Sequence, residues 1–107
     1  MPSFQAQVPE TLAKGLGGKT TIDKPMLFEF PTVKVHSMWM KGMLVPIDIV
    51  WADKDGIITK VYLNCPTEPW DHTYSSVTPS KYAIECAAGE APRLGLDVGK
   101  QIRILRK

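Results

Sequence analysis

The stretch from Leu44 to Trp51, LVPIDIVW, is apolar at odd and even positions alike, with Asp48 as its single ionisable residue. Side chains alternate between the two faces of a strand, so a strand with one wet face shows apolar residues at every second position. A run without that alternation is expected where a strand is covered on both sides. Directly after it stand Asp53, Lys54, Asp55 and Gly56. An Asp-Gly pair readily takes the positive φ angles of a tight turn, so these four residues predict a hairpin, with Ile57–Asn64 as the returning strand.

The flanking segments extend the same pattern. Residues 1–7 read as a short strand or tail. In MLFEF, Met26, Phe28 and Phe30 share one face and Leu27 and Glu29 the other. VKVHSMWM sets Val33, Val35, Ser37 and Trp39 against Lys34, His36, Met38 and Met40, and Lys41, Gly42 and Met43 form a tight connection. KYAIEC and QIRIL read as later strands, with a turn or short helix around GEAPRLGL between them. Near the start, Pro9, Glu10, Leu12, Ala13 and Leu16 fit a short helix that Gly15, Gly17 and Gly18 end. The 107 residues are expected to form one domain, mainly β (α+β by strict count): a rolled sheet or small barrel of six to seven short strands with one or two short helices. Within it, residues 65–80 break the pattern. Pro66, Pro69 and Pro79 together with Trp70, His72 and Tyr74 predict a long loop, of a kind that is often functional in so small a domain.

Composition narrows the function classes. A hydrophobic fraction of 44% and a charged fraction of 22% are those of an ordinary globular chain. Thirteen basic and eleven acidic residues are scattered, apart from a cluster at Arg103, Arg106 and Lys107, where a nucleic-acid groove would need a denser basic stripe. The opening MPSFQAQVPET lacks the basic and apolar regions of an export signal, and no apolar run is long enough for a membrane span, so the expectation is a cytoplasmic location, with virion or export by another route left open. Cys65 and Cys86 have no zinc-site spacing and read as two free thiols.

The segment AKGLGGKT, Ala13–Thr20, has the loose form of a phosphate-binding loop. That motif works when a buried strand feeds a glycine-rich turn opening into a long helix, so that backbone N–H groups converge on the phosphates. Here the expected helix precedes the glycines, and Pro25 follows Thr20 too closely for another. No nucleotide is expected through residues 13–20, and no cofactor elsewhere.

Several segments together resemble a known family. KGLGG, MLFEF, HSMWMKGMLVPIDIVWADKDG, YSSVTPSKYAIEC and GEAPRLGLDVGKQIRI are similar to the family called domain of unknown function 192, from about Val8 to Ile104. The most specific part is His36 to Asp48, where the triplet Trp39-Met40-Lys41, then Pro46 and Asp48, keep the family's order and spacing. The resemblance implies a small β-rich domain and no established activity. Gly17 stands where the family usually has Met, Pro25 where Gly is usual, and Gly42-Met43 in place of Asn-Thr. LGLDVGKQIRI also resembles the glycine-aspartate box of cradle-loop barrels, with Lys100 in the place of the Asp.

The chemistry-bearing residues then fall into two groups. Asp48, among Ile47, Ile49 and Val50, must find donors, and Lys41 or backbone N–H groups near Gly42 are within expected reach. It would either pin the connection between strands or act as an acid, base or ligand anchor. His36 could pair with it as acid and base, whereas a metal would need His72 or Cys65 as a third ligand, at no diagnostic spacing. The second group is aromatic: Trp70, His72 and Tyr74 with Ser75 and Ser76, and Trp39 nearby, suit stacking against a sugar or a partner's side chains, or else close the core. The favoured expectation is a non-catalytic binding or accessory module with a concave site formed by Trp39, Lys41, Asp48, Trp70, His72 and Tyr74, for a small molecule, carbohydrate or protein. The alternative is a small hydrolase or lyase-like enzyme using His36 and Asp48.

Overall fold

The computed structural model describes residues 2–7 and 24–106. Its elements, in chain order, are β1 (Ser3–Gln7), β2 (Met26–Lys34), β3 (Ser37–Trp39), β4 (Ile47–Ala52), β5 (Ile58–Cys65), β6 (Thr73–Ser75), β7 (Ser80–Ala87), the single helical turn α1 (Glu90–Arg93) and β8 (Arg103–Leu105). The expected N-terminal helix and the segment Ala13–Thr20 lie outside the described residues.

Every residue of β4 is buried, as its two-sided apolar pattern requires. Val50 and Ala52 enter one core with Leu27, Ile58, Tyr82, Ile84, Cys86 and the α1 residue Ala91. Ile47, Ile49 and Trp51 enter a second core with Phe30, Met40, Cys65, Tyr74 and Ala83. The alternation along β4 thus divides the interior into two layers, and burying each large apolar side chain contributes about 1.5–3 kcal/mol.

Six strands form one sheet in the order β5-β4-β7-β2-β1-β8, and β3 pairs with β6 in a separate ribbon. β1 runs parallel to both β2 and β8, while β2 with β7, β7 with β4 and β4 with β5 are antiparallel. The sheet rolls. Just before β8 the chain meets the start of β5, from the other edge of the sheet: Ile58 N–H donates to the Lys100 carbonyl at 2.8 Å, and Ile102 N–H to that of Gly56 at 2.9 Å. An isolated bridge joins Ile57 and Gln101 there, without a continuous ladder that would close a barrel.

The Asp53–Gly56 turn forms as its sequence dictates. Asp53 Oδ1 accepts the N–H groups of Asp55 at 2.9 Å and Ile57 at 3.0 Å, while Gly56 N–H donates to the Asp53 carbonyl at 3.0 Å. Gly56 has φ 79°, and a Cβ built there would stand 2.9 Å from the Ile102 carbonyl oxygen. Positive φ and close backbone approach both demand glycine. The turn before β8 closes without the missing acid, since Lys100 N–H donates to the Asp97 carbonyl at 3.0 Å.

Three details depart from the sequence reading. The strand expected over Val33–Met40 is divided: β2 continues to Lys34, the chain turns at Val35 and His36, and β3 leaves for the ribbon. Pro31 lies where the β2–β7 register shifts, between Glu29 and Lys34, at a place where its missing N–H removes no ladder bond. The long loop contains β6, so the described strands number eight rather than six or seven. Among the described residues no helix is long and apolar enough to cross a membrane.

Candidate functional site

Asp48 pairs in register with Cys86 of β7 and shares the face of β4 that α1 covers. Its carboxylate is fully buried and accepts three backbone N–H groups: Asn64 on Oδ1 at 2.9 Å, and Gly89 and Ala91 on Oδ2, both at 3.0 Å. The expected bond to Lys41 or the backbone near Gly42 is not among them. The physical reason is the register. A shift between Ile47 and Ile49 in the β4–β5 pairing leaves Asn64, at φ 54°, with its N–H facing Asp48, and the turn at Ala88 and Gly89 after β7 brings the first turn of α1 over the other carboxylate oxygen. Charge-assisted bonds to backbone donors satisfy the carboxylate in place. Asp48 therefore ties three segments together and stands apart from the exposed aromatic residues.

His36 lies on the other side of the sheet. Its ring stacks on Phe30 with centroids 4.0 Å apart, and lies parallel to Trp51 at 6.5 Å. Nε2 donates to the Thr32 carbonyl at 2.9 Å, which fixes the tautomer with its proton on Nε2. The backbone N–H of His36 donates to Ser76 Oγ at 3.0 Å, and Ser76 Oγ donates in turn to the Thr78 carbonyl at 2.8 Å. Ser76 is thus consumed in locking the corner between β2 and β3. With Phe30 and Trp51 in the second core and Asp48 on the face of the first, the structure does not bring His36 and Asp48 together as an acid–base pair.

Both thiols are free and buried. Burial, and then the charge of Asp48, pushes the Cys65 thiol up to about 11. The same two causes, followed by Glu90 and Glu85, push Cys86 up to about 12. Protonated at neutral pH, neither serves as a nucleophile there. Among the described residues no group of three or more His, Cys, Asp and Glu side chains is placed to hold a metal ion.

The structure does assemble Trp39, Lys41 and Trp70. Trp39 ends β3, and Met40 N–H donates to the Trp70 carbonyl at 3.1 Å, which draws the long loop against the ribbon. The two indoles meet edge to face, centroids 5.4 Å apart at 73°. They remain 50% and 40% exposed, unlike the fully buried Trp51. Lys41 Nζ lies 5.5 Å from both ring centroids. An ammonium over an exposed aromatic face gains about 0.5–1 kcal/mol, so the two rings hold the charge in position.

Beside this platform the loop is anchored by tyrosines. Tyr74 is buried against Tyr62, edge to face at 5.2 Å, and His72 packs against Tyr74 at 4.8 Å. Tyr62 OH donates to the Ser75 carbonyl at 2.7 Å. Tyr62 went unnoticed in the sequence because it reads as one more alternating residue of β5. Of the six expected binding residues, Trp39, Lys41 and Trp70 form an exposed group, His72 is exposed and packs on Tyr74, Tyr74 belongs to the core beneath, and Asp48 sits on the far face of β4.

Comparison with known proteins adds to this geometry. A model of the family DUF192, described as an "Uncharacterized ACR", matches residues 4–104. The chain is similar to the crystal structure of a Sinorhizobium meliloti 1021 protein provisionally described as a transcription regulator, with 27% identity and a TM-score of 0.79 over 90% of this chain and 78% of that one. It is also similar in fold to a protein of unknown function from Novosphingobium aromaticivorans DSM 12444, with 24% identity and a TM-score of 0.79 over 92% of this chain and 73% of the other. No curated protein matches.

Proposed function

Because this chain belongs to the DUF192 family, whose description assigns no activity, its role has to be read from its site, and we propose that it is a non-catalytic binding module taking a sugar-like ring on the Trp39–Trp70 platform. The observation that carries this reading is the pair of half-exposed indoles, held edge to face by a backbone bond with an ammonium over both. Rigid aromatic faces bind the apolar C–H face of a sugar ring at little entropic cost, and polar groups at the rim then orient it. Lys41 stands at that rim. The group is ring-sized, whereas a stable protein interface covers about 800 Å² on each partner.

The acid–base alternative needs His36 and Asp48 at one substrate, and their placement on opposite faces of β4 supports it poorly. Transcriptional regulation, the provisional description of the Sinorhizobium protein, is not carried over. Of the three arginines, Arg93 is already engaged with Glu90 and Arg106 with Glu29 and Tyr82.

The test is a titration of the protein with a panel of neutral and acidic oligosaccharides, followed by calorimetry and by tryptophan emission, and repeated on Trp39→Ala and Trp70→Ala. Saturable binding that is lost in both folded variants supports the reading. A silent panel, or binding that both variants retain, rejects it.

A further inference from the structure

Resting on that reading, we infer that the ring bound by the platform is an acidic one: a sugar residue bearing a carboxylate that pairs with the Lys41 ammonium while its apolar face lies on the indoles. The inference starts from what holds Lys41. Its ammonium is seated 5.5 Å from the centroids of Trp39 and Trp70, and no carboxylate lies within ion-pair distance of it among the described residues. Lys side chains ordinarily lose rotamer freedom when they engage an anion. Here the two rings have already restricted the chain, so much of that entropic cost is met before a ligand arrives.

The polarity of the neighbourhood sets the sign. A cationic ligand on the same rings would have to displace Lys41 and accept its repulsion. An anionic group can instead approach the outward N–H groups of the ammonium without disturbing either indole. The opposite charges on the loop are Glu68 and Asp71. Glu68 is turned toward its own backbone, where Oε2 accepts the N–H of Trp70 at 3.3 Å, and both carboxylates are exposed. They suit hydroxyl groups as acceptors and disfavour a ligand that is anionic all round. One carboxylate on a ring rich in hydroxyls meets both requirements: the anion lands at Lys41 and the hydroxyls face the loop.

The measurement compares a trimer of galacturonic acid with the neutral galactose trimer of the same linkage, by calorimetry at low and high salt. The proteins compared are the parent, Lys41→Ala, Lys41→Arg, Trp70→Ala and, as a control for net charge, Lys54→Ala in the distant Asp53–Gly56 turn. An ion pair at a partly exposed site corresponds to about a fivefold preference for the acidic trimer. That preference is expected to vanish in Lys41→Ala, to persist in Lys41→Arg and Lys54→Ala, and to shrink at high salt. Equal affinity for the two trimers, with both lost in Trp70→Ala, overturns the acidic assignment and leaves the sugar reading standing. Binding of neither trimer overturns the acidic assignment, and the wider panel then decides the sugar reading separately. Tighter binding of an acidic peptide of matched charge than of the acidic trimer also overturns it, in favour of a protein partner. If Lys41→Ala fails to fold by circular dichroism, Lys41→Gln supplies the same comparison.

Discussion

The carboxylate of Asp48, the second residue of β4, accepts the backbone N–H of Ala91 at 3.0 Å across forty-three residues of sequence. α1 has no side-chain cap of its own, since the residue before it is Gly89 at φ 92°. A helix turn leaves its first N–H groups without partners, and Asp48 supplies the missing acceptor from a neighbouring strand. Replacing Asp48 by Asn keeps one acceptor oxygen and turns an NH₂ toward donors. The expected loss is on the order of 3 kcal/mol, read as a lower midpoint in chemical denaturation. Oligosaccharide affinity, measured where the variant is still folded, should be unchanged.

Alkaline stability should report the two thiols. In the unfolded chain a thiol ionises near its ordinary value of 9, whereas in the folded protein Cys65 holds its proton to about 11 and Cys86 to about 12. Between those limits the folded state carries more protons, so stability falls as pH rises from about 9 and levels off above the folded values. Below pH 9 these thiols contribute no slope. A Cys65→Ala, Cys86→Ala double variant should show a shallower decline than the parent in denaturant midpoints taken across that window. Parallel declines would contradict the burial assigned to both residues.

Glycine positions can be ranked by experiment. Gly56→Ala meets both a positive φ and the Ile102 carbonyl at 2.9 Å, while at Gly42, with φ 83°, an added Cβ finds nothing within 4 Å. The left-handed conformation alone costs about 1–2 kcal/mol for a residue with a Cβ. Gly42→Ala should therefore lose about that much, and Gly56→Ala clearly more, in the same urea titration. Equal losses would contradict the close approach of the Ile102 carbonyl to the hairpin.

Trp70→Ala separates binding from folding. The side chain is 40% exposed and packs mainly on Trp39, so its removal should cost about 0.5–1.5 kcal/mol, the worth of one aromatic pair. Trp51→Ala, by contrast, empties a fully buried site and should cost about 3–5 kcal/mol. Thermal melts distinguish the two, because each kcal/mol moves the midpoint by about 4–8 °C in a domain of this size.

The sequence is most legible where one residue's conformation or one strand's faces decide the outcome. Asp55-Gly56 specifies its turn locally, and the doubly apolar run around Asp48 marks the central strand. Pairings between distant segments leave no local trace. β1 lies between β2 and β8, parallel to both, and nothing in SFQAQ indicates either neighbour. β6 is three residues long, too short for a period to register, and takes its shape from the pairing of Ser37 with Ser75 and Trp39 with Thr73. The same limit applies to the candidate site. Residue type picked out Trp39, Lys41 and Trp70, but the face on which a side chain emerges depends on register. For that reason Asp48 and His36, twelve positions apart, are directed to different cores.

The parallel seam between β1 and β8 joins Ser3 with Arg103 and Gln5 with Leu105. On a ribosome, Ser3–Gln7 emerges about a hundred residues before Arg103–Leu105 and cannot complete this edge until that segment has been made. The antiparallel strands β2, β4, β5 and β7 can pair sooner, because closing a shorter loop costs less entropy. Until Arg103–Leu105 is available, β1 therefore has an unsatisfied edge on the side away from β2, and that distant segment is what covers it.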